Sequence, residues 1–350
     1  MLVMLKPAEW SLPTSVLLFA AAAVVIGVCG VLVTARAERL ARETGLGQAI
    51  MGAVFLGAMT SLSGLITSLT AAFQGHPELS VSNAVGGIAV QTTFLALADT
   101  LYRKANLEHA AASEANLVQA AVLVVLLGIA LLATFTPDGT VAGAHPISLA
   151  LIVAYVFGLR LIAGAHKTPM WRPRLTPETQ SEEEEQGIEA GSRRLVMLWS
   201  GFVGLALLVA AAGWVVAEAG LNIAAATGAT EGVVGTLLTA TTTSIPEGVI
   251  AIAAVRRGAL TLAVGDIIGG NTFDVLFLSF SDLLYRDGSI FHAITAAQSF
   301  WLALSLLMAA VLLLGLLRRE KYGIGNIGFE SVVVLVLYAG SVALLVAAPS

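Results

Sequence analysis

A proline and a glutamate interrupt the apolar stretch Thr241 to Val255, which otherwise has the composition of one helix. They are Pro246 and Glu247. A proline inside a helix removes a backbone hydrogen bond and costs about 3 kcal/mol, and a carboxylate at the centre of a bilayer costs at least ~2.5 kcal/mol more. Hydroxyl residues precede them from Thr241 to Ser244. Since hard cations such as Ca²⁺ and Na⁺ prefer hydroxyl, carbonyl and carboxylate oxygens, the pattern predicts a cation site at a broken helix.

A second polar cluster lies in the next apolar stretch, "GDIIGGNTFD". It supplies Asn271 and Asp274 as further oxygen donors. The paired glycines before them permit close helix approach. We therefore expect Glu247 and Asp274 to lie near each other at mid-membrane.

The composition is that of a polytopic membrane protein. Of 350 residues, 57% are apolar and 12% are charged, and the mean hydropathy is +0.88, whereas soluble domains carry about 25% charged residues. No basic patch suggests a nucleic-acid partner. The single cysteine, Cys29, excludes a disulfide framework. Neither HExxH nor GxSxG occurs, so the sequence favours no enzyme and no cofactor.

Hydrophobic runs predict ten transmembrane helices, each near the ~20 residues that cross a bilayer. The first run, Val16 to Thr34, is longer than a signal-peptide core and is predicted to be a retained span. The ten spans are expected at 14–34, 46–73, 80–102, 115–135, 146–165, 195–218, 230–255, 260–284, 291–317 and 327–347.

The chain also contains an internal repeat. A shift of 183 positions, the separation of Gly52 and Gly235, aligns 52–103 with 235–286 without a gap. The domain prediction is a first half, a linker and a second half. The first half is 1–165, a cytoplasmic acidic linker occupies 166–194 with the run "EEEE", and the second half is 195–350.

Loop charges indicate that the two repeats are inverted. Five spans are an odd number, so the second half must enter the membrane from the opposite side. With both termini outside and the linker in the cytoplasm, only Lys6 and Arg286 of the 18 basic residues lie outside, in agreement with the positive-inside rule. We therefore expect a multi-pass protein of the plasma (inner) membrane. Inverted repeats with interrupted helices are typical of secondary transporters.

"TTSIPE" together with "GDIIGGNTFD" resembles the second alpha-repeat of the cation/calcium exchanger superfamily, which includes the sodium/calcium exchangers. The resemblance implies an all-α fold of ten helices in two inverted five-helix repeats, and it implies exchange of Ca²⁺ for Na⁺. It also implies a set of ion-coordinating or site-lining residues. Those in the second repeat are Thr243, Ser244, Glu247, Gly270, Asn271 and Asp274, and those that match in the first repeat are Thr60 and Ser61.

The first repeat departs from this family pattern at the site itself. Ser63 and Gly64 replace the Pro-Glu pair, and Ile88 and Gln91 replace the two Asn/Asp positions. Gln91 still offers an amide oxygen, but the charge of the site falls to at most −2. This weakens the case for Ca²⁺ relative to a monovalent ion. Two carboxylates in a low-dielectric site can also share a proton, which would allow proton coupling.

The sequence therefore predicts a secondary active cation antiporter that works by alternating access and exchanges Ca²⁺ for Na⁺ or H⁺. Its partners are inorganic cations, as substrates, and the lipid bilayer; its oligomeric state is left open. The alternatives are a monovalent cation/proton antiporter and a non-transporting membrane protein that kept the fold. The predicted metal ligands are Glu247, Asp274, Thr243, Ser244, Asn271, Thr60, Ser61 and Gln91.

Other acidic residues near span ends receive structural interpretations. Asp99 and Asp282 each precede an arginine by four residues, the spacing of a helical ion pair, and are predicted to be interfacial anchors. Glu231, Glu330 and His109 are expected to face water or lipid headgroups.

Overall fold

The computed structural model describes residues 10–44, 57–102, 104–111, 113–141, 143–167, 174, 176, 179, 192–323 and 327–347. The predicted linker and its acidic run lie almost wholly outside the described residues. The first half contains α1 (Leu12–Thr44), α2 (Leu62–Phe73), α3 (Pro77–Leu101), α4 (Glu114–Ala133) and α5 (Pro146–Lys167). The second half contains α6 (Ser192–Thr227), α7 (Glu231–Thr243), α8 (Ile245–Arg257), α9 (Leu260–Asp274), α10 (Leu276–Leu284), α11 (Ala296–Arg318) and α12 (Phe329–Ala347).

The described helices confirm the all-α polytopic fold. Eight of them are long and apolar enough to cross a membrane, with α9 and α10 counted as one span, and the bent pair α7 and α8 forms a ninth. The predicted span 46–73 is described only from residue 57, as a helical turn followed by α2. Three predicted boundaries were wrong by five residues or more: α1 ends at Thr44 rather than at 34, α6 ends at Thr227 rather than at 218, and α11 begins at Ala296 rather than at 291. Thr295 and Gln298 form a capping box at the start of α11.

Two helices break at equivalent places in the two repeats. The predicted span 230–255 bends by 45° between α7 and α8 at Ser244, whose φ and ψ are −92° and 1°. Ser61, 183 positions earlier, has almost the same angles, −85° and 7°. The first repeat has Ser63 where the second has Pro246. Proline is therefore compatible with this bend but does not cause it, and the broken helix is a property of the repeat.

Peripheral helices enclose a buried centre. The apolar window of α3 is 89% buried, whereas that of α6 is 17% buried and faces the surroundings of the bundle. Glycines let the two long outer helices approach the breaks. A Cβ on Gly30 of α1 would lie 2.5 Å from Pro246 Cγ, and one on Gly213 of α6 would lie 2.6 Å from the Ser63 carbonyl oxygen. These contacts are also related by the 183-residue shift, so α1 and α6 support the two breaks in the same way.

Candidate cation site between the two repeats

The break after α7 places Glu247 in the interior. Glu247 lies in the first turn of α8 and its residue is 1% exposed. Ser61, at the equivalent break, donates its hydroxyl to Glu247 Oε1 at 3.3 Å. The two interrupted helices therefore meet at their breaks, where Ser61 contacts Glu247.

The second carboxylate comes from the end of α9. Asp274 is the last residue of that helix and is 2% exposed. Gln91 of α3 donates its side-chain amide to Asp274 Oδ2 at 2.7 Å. Gln91 and Asp274 are repeat equivalents, so each half contributes the same position to this contact.

Glu247 and Asp274 line one small cavity. The space open to the centre of a water-sized sphere is about 10 Å³, roughly the room for one water molecule or one dehydrated cation. Within the described part of the chain, neither carboxylate belongs to an ion pair. The walls are formed by Ser61, Gly64, Asn83, Gly87, Gln91, Thr243, Ser244, Glu247, Asp274 and Phe277.

Three buried oxygens at this cavity lack a hydrogen-bond partner. They are Glu247 Oε2, Asp274 Oδ1 and Gln91 Oε1. An unsatisfied buried acceptor costs about 1–3 kcal/mol, and more when it is charged. A bound cation would satisfy such oxygens together, and the donor set, which is made only of oxygen, suits Ca²⁺ or Na⁺ rather than a soft metal.

The remaining predicted ligands divide into two groups. Thr243 and Ser244 line the cavity, as Ser61 does. Thr60 and Asn271 do not belong to its wall: the Thr60 hydroxyl donates to the Gly57 carbonyl at 3.0 Å, and the Asn271 amide donates to Thr92 at 2.9 Å. Thr60 and Asn271 are thus not brought to the cavity, and a ligand role for each of the eight predicted residues stays a prediction.

Asn83 is a cavity residue that the sequence reasoning missed. Its side-chain oxygen accepts from Thr239 at 2.8 Å and from Thr243 at 3.5 Å, and its amide donates to the Gly64 carbonyl at 3.0 Å. The repeat alignment contained the signal, because the shift of 183 pairs Asn83 with Asp266. Asn83 therefore positions Thr243 beside the cavity and links α3 to the start of α2, next to the helix break at Ser61.

An aromatic ring closes the cavity where the first repeat lacks its glutamate. A Cβ on Gly64 would lie 3.2 Å from Phe277 Cε2 and 3.5 Å from Thr243 Oγ1. The ring therefore stands next to the position that a first-repeat glutamate side chain would enter. Because Gly64 and Phe277 occupy this side of the cavity, both carboxylates of the site, Glu247 and Asp274, come from the second repeat.

Interrupted helices from two inverted repeats that converge on a buried oxygen site define an ion-transporting membrane protein. The comparisons with known proteins identify the family. The model of the sodium/calcium exchanger protein family matches residues 14–163 and 196–347, so the chain belongs to that family. By family it is a multi-pass membrane protein and a cation antiporter.

Individual relatives are distant but cover most of the chain. The putative antiporter CaxA of Alkalimonas amylolytica is 26% identical over 81% of this chain and 85% of its own length. The inner membrane protein YrbG of Escherichia coli K12 is 27% identical over 78% and 82%. A solved structure of the sodium-calcium exchanger NCX_Mj covers 95% of this chain and 99% of its own, with 19% identity and a TM-score of 0.62. At that identity the structural likeness supports the fold, ten helices in two inverted repeats, and not the ion.

Proposed function

We propose that this protein exchanges Ca²⁺ for Na⁺ or H⁺ through the cavity between Glu247 and Asp274. The observation that carries the proposal is the convergence of three unpartnered buried oxygens, two of them from carboxylates, on a space for one ion. Ser61, Thr243 and Ser244 supply neutral oxygens at the same cavity.

Charge balance explains how one site would couple two ions. An occluded site in a low-dielectric interior is costly unless its charges are compensated. Two carboxylates are neutralised by one Ca²⁺, or by two monovalent charges carried by Na⁺ or protons. Because these loads compete for the same oxygens, binding of one requires release of the other, which is antiport.

The equivalent helix breaks and the inverted repeats are compatible with transport by alternating access. Inverted repeats allow one half to rock against the other around a fixed site, which opens the site to each face in turn. In the proposed orientation both termini lie outside and the linker is in the cytoplasm, in the plasma (inner) membrane. The distribution of basic residues supports this orientation.

A second candidate is a monovalent cation/proton antiporter. Gly64 favours it, because a site with two carboxylates and no first-repeat glutamate attracts a divalent ion less strongly than a site with three. The two candidates predict different fluxes and are separated by the same experiment.

The test is transport by the purified protein in proteoliposomes. Uptake of ⁴⁵Ca²⁺ is measured in vesicles with an outward Na⁺ gradient, with an outward proton gradient, and with a K⁺ gradient as a control. Uptake of ²²Na⁺ is measured in parallel. Ca²⁺ uptake driven by Na⁺ or protons, and lost in Glu247→Gln, supports the first proposal. Proton-driven ²²Na⁺ uptake without ⁴⁵Ca²⁺ uptake supports the second. No flux of any of these ions in correctly folded protein contradicts both.

A further inference from the structure

Three buried carboxylates meet at one end of the bundle, away from the transport cavity. Asp99 lies in the last turn of α3, Glu108 in the helical turn Leu107–Ala110, and Glu330 in the first turn of α12. The residues are 0%, 1% and 2% exposed, and one oxygen of each lies within 4.8 Å of the others. Asp99 follows Gln91 by eight residues, or about 12 Å along α3. The cluster is therefore separate from the Glu247 and Asp274 site.

This geometry corrects three expectations. Glu330 and His109, predicted to face water or headgroups, are buried, and His109 Nδ1 lies 2.8 Å from the Arg319 carbonyl oxygen. Asp282 was expected to pair with Arg286, but its carboxylate is buried and accepts hydrogen bonds from the backbone, while Arg286 is exposed. The expected partner of Asp99, Arg103, lies outside the described residues.

The architecture of the repeat explains Asp99. It accepts the Leu107 amide at 2.7 Å and the Gly328 amide at 2.9 Å. Asp282, its equivalent at the opposite end, accepts the Ile290 amide at 2.9 Å and the His145 amide at 2.7 Å. Each donor in one set lies 183 positions from its counterpart. An aspartate at this position fixes the loop after its own helix and the start of another helix by accepting their backbone amides. This structural role requires no ion.

The architecture does not explain Glu108 and Glu330. Their equivalents at the opposite end are Phe291 and Ile147, so the same scaffold is completed there by apolar side chains. Both carboxylate oxygens of Glu108 and Oε2 of Glu330 are buried, and no hydroxyl, basic group or amide of another described residue donates to them. The two carboxyl groups lie within hydrogen-bond reach of each other, so one of them has to carry a proton or both have to share a cation. Among the described residues, no ion pair reaches either side chain.

Two glycines leave room for the Glu330 side chain. A Cβ on Gly328 or on Gly315 would lie 2.6 Å from Glu330 Cδ. Their equivalents at the opposite end are His145 and Leu132, which do carry side chains. The local sequence thus makes room for a buried carboxylate whose Oε2 receives no hydrogen bond from a hydroxyl, a basic group or the amide of another described residue.

We propose that Asp99, Glu108 and Glu330 bind a divalent cation of the Ca²⁺ type at a second site that is not part of the transport path. Three carboxylate oxygens within 4.8 Å of one another can ligate one hard cation, and Ca²⁺ accepts carboxylate oxygens at about 2.3–2.6 Å in a flexible geometry. The bound ion links α3, the turn after it and α12. In the proposed orientation this end faces the cytoplasm, so the site responds to the cytoplasmic Ca²⁺ concentration.

Protons compete for the same carboxylates. Burial, and next the charges of Asp99 and Glu330, raise the pKa of Glu108 well above its ordinary value. Without a cation, Glu108 therefore carries a proton over a wider pH range than an exposed glutamate. The binding experiment is accordingly done at pH 8, where the proton competes least.

The test uses the full-length protein in detergent, with the transport site disabled by Glu247→Gln. Equilibrium binding of ⁴⁵Ca²⁺ and the thermal unfolding midpoint with and without Ca²⁺ are measured. The Glu247→Gln protein is expected to bind one Ca²⁺ and to unfold at a higher temperature in its presence. Adding Glu108→Gln or, separately, Glu330→Gln is expected to weaken this binding about tenfold or more, because one ligand charge is lost.

The opposite end of the molecule supplies the matched control. Asp282→Asn in the Glu247→Gln background disturbs the equivalent scaffold and should leave Ca²⁺ binding unchanged, whereas Asp99→Asn should weaken it. The proposal is overturned if Glu247→Gln binds no Ca²⁺, or if the second substitutions at Glu108 and Glu330 leave binding intact. A midpoint that responds to pH but not to Ca²⁺ would also overturn it, since the cluster would then hold only a proton. If either Glu108→Gln or Glu330→Gln does not fold, Ca²⁺ binding by the other variant decides whether the cluster is a cation site. The result is independent of the flux experiment on the transport site.

Discussion

The two repeats share their backbone contacts and differ in their charges. The breaks at Ser61 and Ser244 have nearly equal backbone angles, and Asp99 and Asp282 accept equivalent amides. His109 and His292 each place a ring nitrogen near an equivalent carbonyl oxygen, that of Arg319 and that of Thr136. What the repeats share is what holds the helices in place.

The differences lie where an ion would bind. In each of four pairs of repeat-equivalent residues, one member is a buried Asp or Glu and the other is uncharged. The pairs are Glu247 with Gly64, Asp274 with Gln91, Glu108 with Phe291, and Glu330 with Ile147. The scaffold forms with or without these charges, and the bound cations proposed for the two sites would account for the burial of the carboxylates.

The largest expected effect is on transport, at Glu247. Glu247→Gln keeps the shape of the side chain and removes one of the two charges at the cavity, so exchange should fall at least ~100-fold, about 2.7 kcal/mol in the free energy that drives binding. Initial rates of ion uptake into proteoliposomes measure this. Glu231→Gln, which alters a partly exposed carboxylate in the same half, is the matched control and should transport normally. Full exchange by Glu247→Gln would place the ion path elsewhere.

The scaffold comparison predicts equal destabilisation at the two ends. Asp99→Asn and Asp282→Asn each weaken hydrogen bonds from buried amides to a charged acceptor, worth about 1.5–3 kcal/mol apiece. We expect both variants, measured in the absence of Ca²⁺, to lower the thermal unfolding midpoint by similar amounts. A large drop in one and none in the other would show that the two ends are not equivalent scaffolds.

Restoring the missing glutamate should change ion preference. Gly64→Glu adds a carboxylate beside the cavity, and at an effective dielectric of ~20 a charge ~4 Å from the ion contributes about 4 kcal/mol per unit ion charge before desolvation. A divalent ion gains twice as much as a monovalent ion, so the ratio of Ca²⁺ to Na⁺ affinity should rise.

The Phe277 ring limits the gain, because it has to move by a few tenths of an ångström. Competition of Na⁺ with ⁴⁵Ca²⁺ at equilibrium gives the ratio, and Gly64→Gln serves as the uncharged control. An unchanged ratio in folded Gly64→Glu would mean that residue 64 does not face the ion.

The smallest effect concerns pH, at a contact present in only one repeat. A hydrogen bond with Glu231, 2.7 Å away, raises the pKa of His76 from its ordinary value of 6.5, and desolvation opposes the rise. Because the pKa of His76 is higher in the folded than in the unfolded state, protonation of His76 stabilises the folded protein. This stabilisation is complete below pH 6.5 and is lost as the pH rises through the folded-state pKa.

Since both side chains are partly exposed, this contribution is at most about 1 kcal/mol. The unfolding midpoint should fall slightly between pH 6 and pH 9, and His76→Gln should remove that part of the pH dependence. An identical pH profile in His76→Gln would assign the dependence to another group.

The sequence by itself determined the membrane fold and the cavity carboxylates. Hydropathy gave seven of the ten spans within about five residues of their helices, whereas α1 and α6 continue to Thr44 and Thr227, beyond the predicted ends at 34 and 218. The second-repeat motif singled out Glu247 and Asp274. The shift of 183 pairs Gln91 with Asp274, and these two side chains are in contact in the structure. Residues close to a pseudo-twofold axis contact their own equivalents, so an internal alignment is enough to predict such pairs.

Only the tertiary structure decided the contacts away from that axis. Glu108 and Glu330 are separated by 222 positions in the sequence and belong to different repeats, and no motif or periodicity relates them. Likewise, Thr60 and Thr243 are repeat equivalents, and each donates its hydroxyl to the carbonyl three residues earlier, yet of the two only Thr243 lines the cavity. Away from the axis a side chain meets whichever helix packs against it, and that depends on helix packing rather than on the repeat.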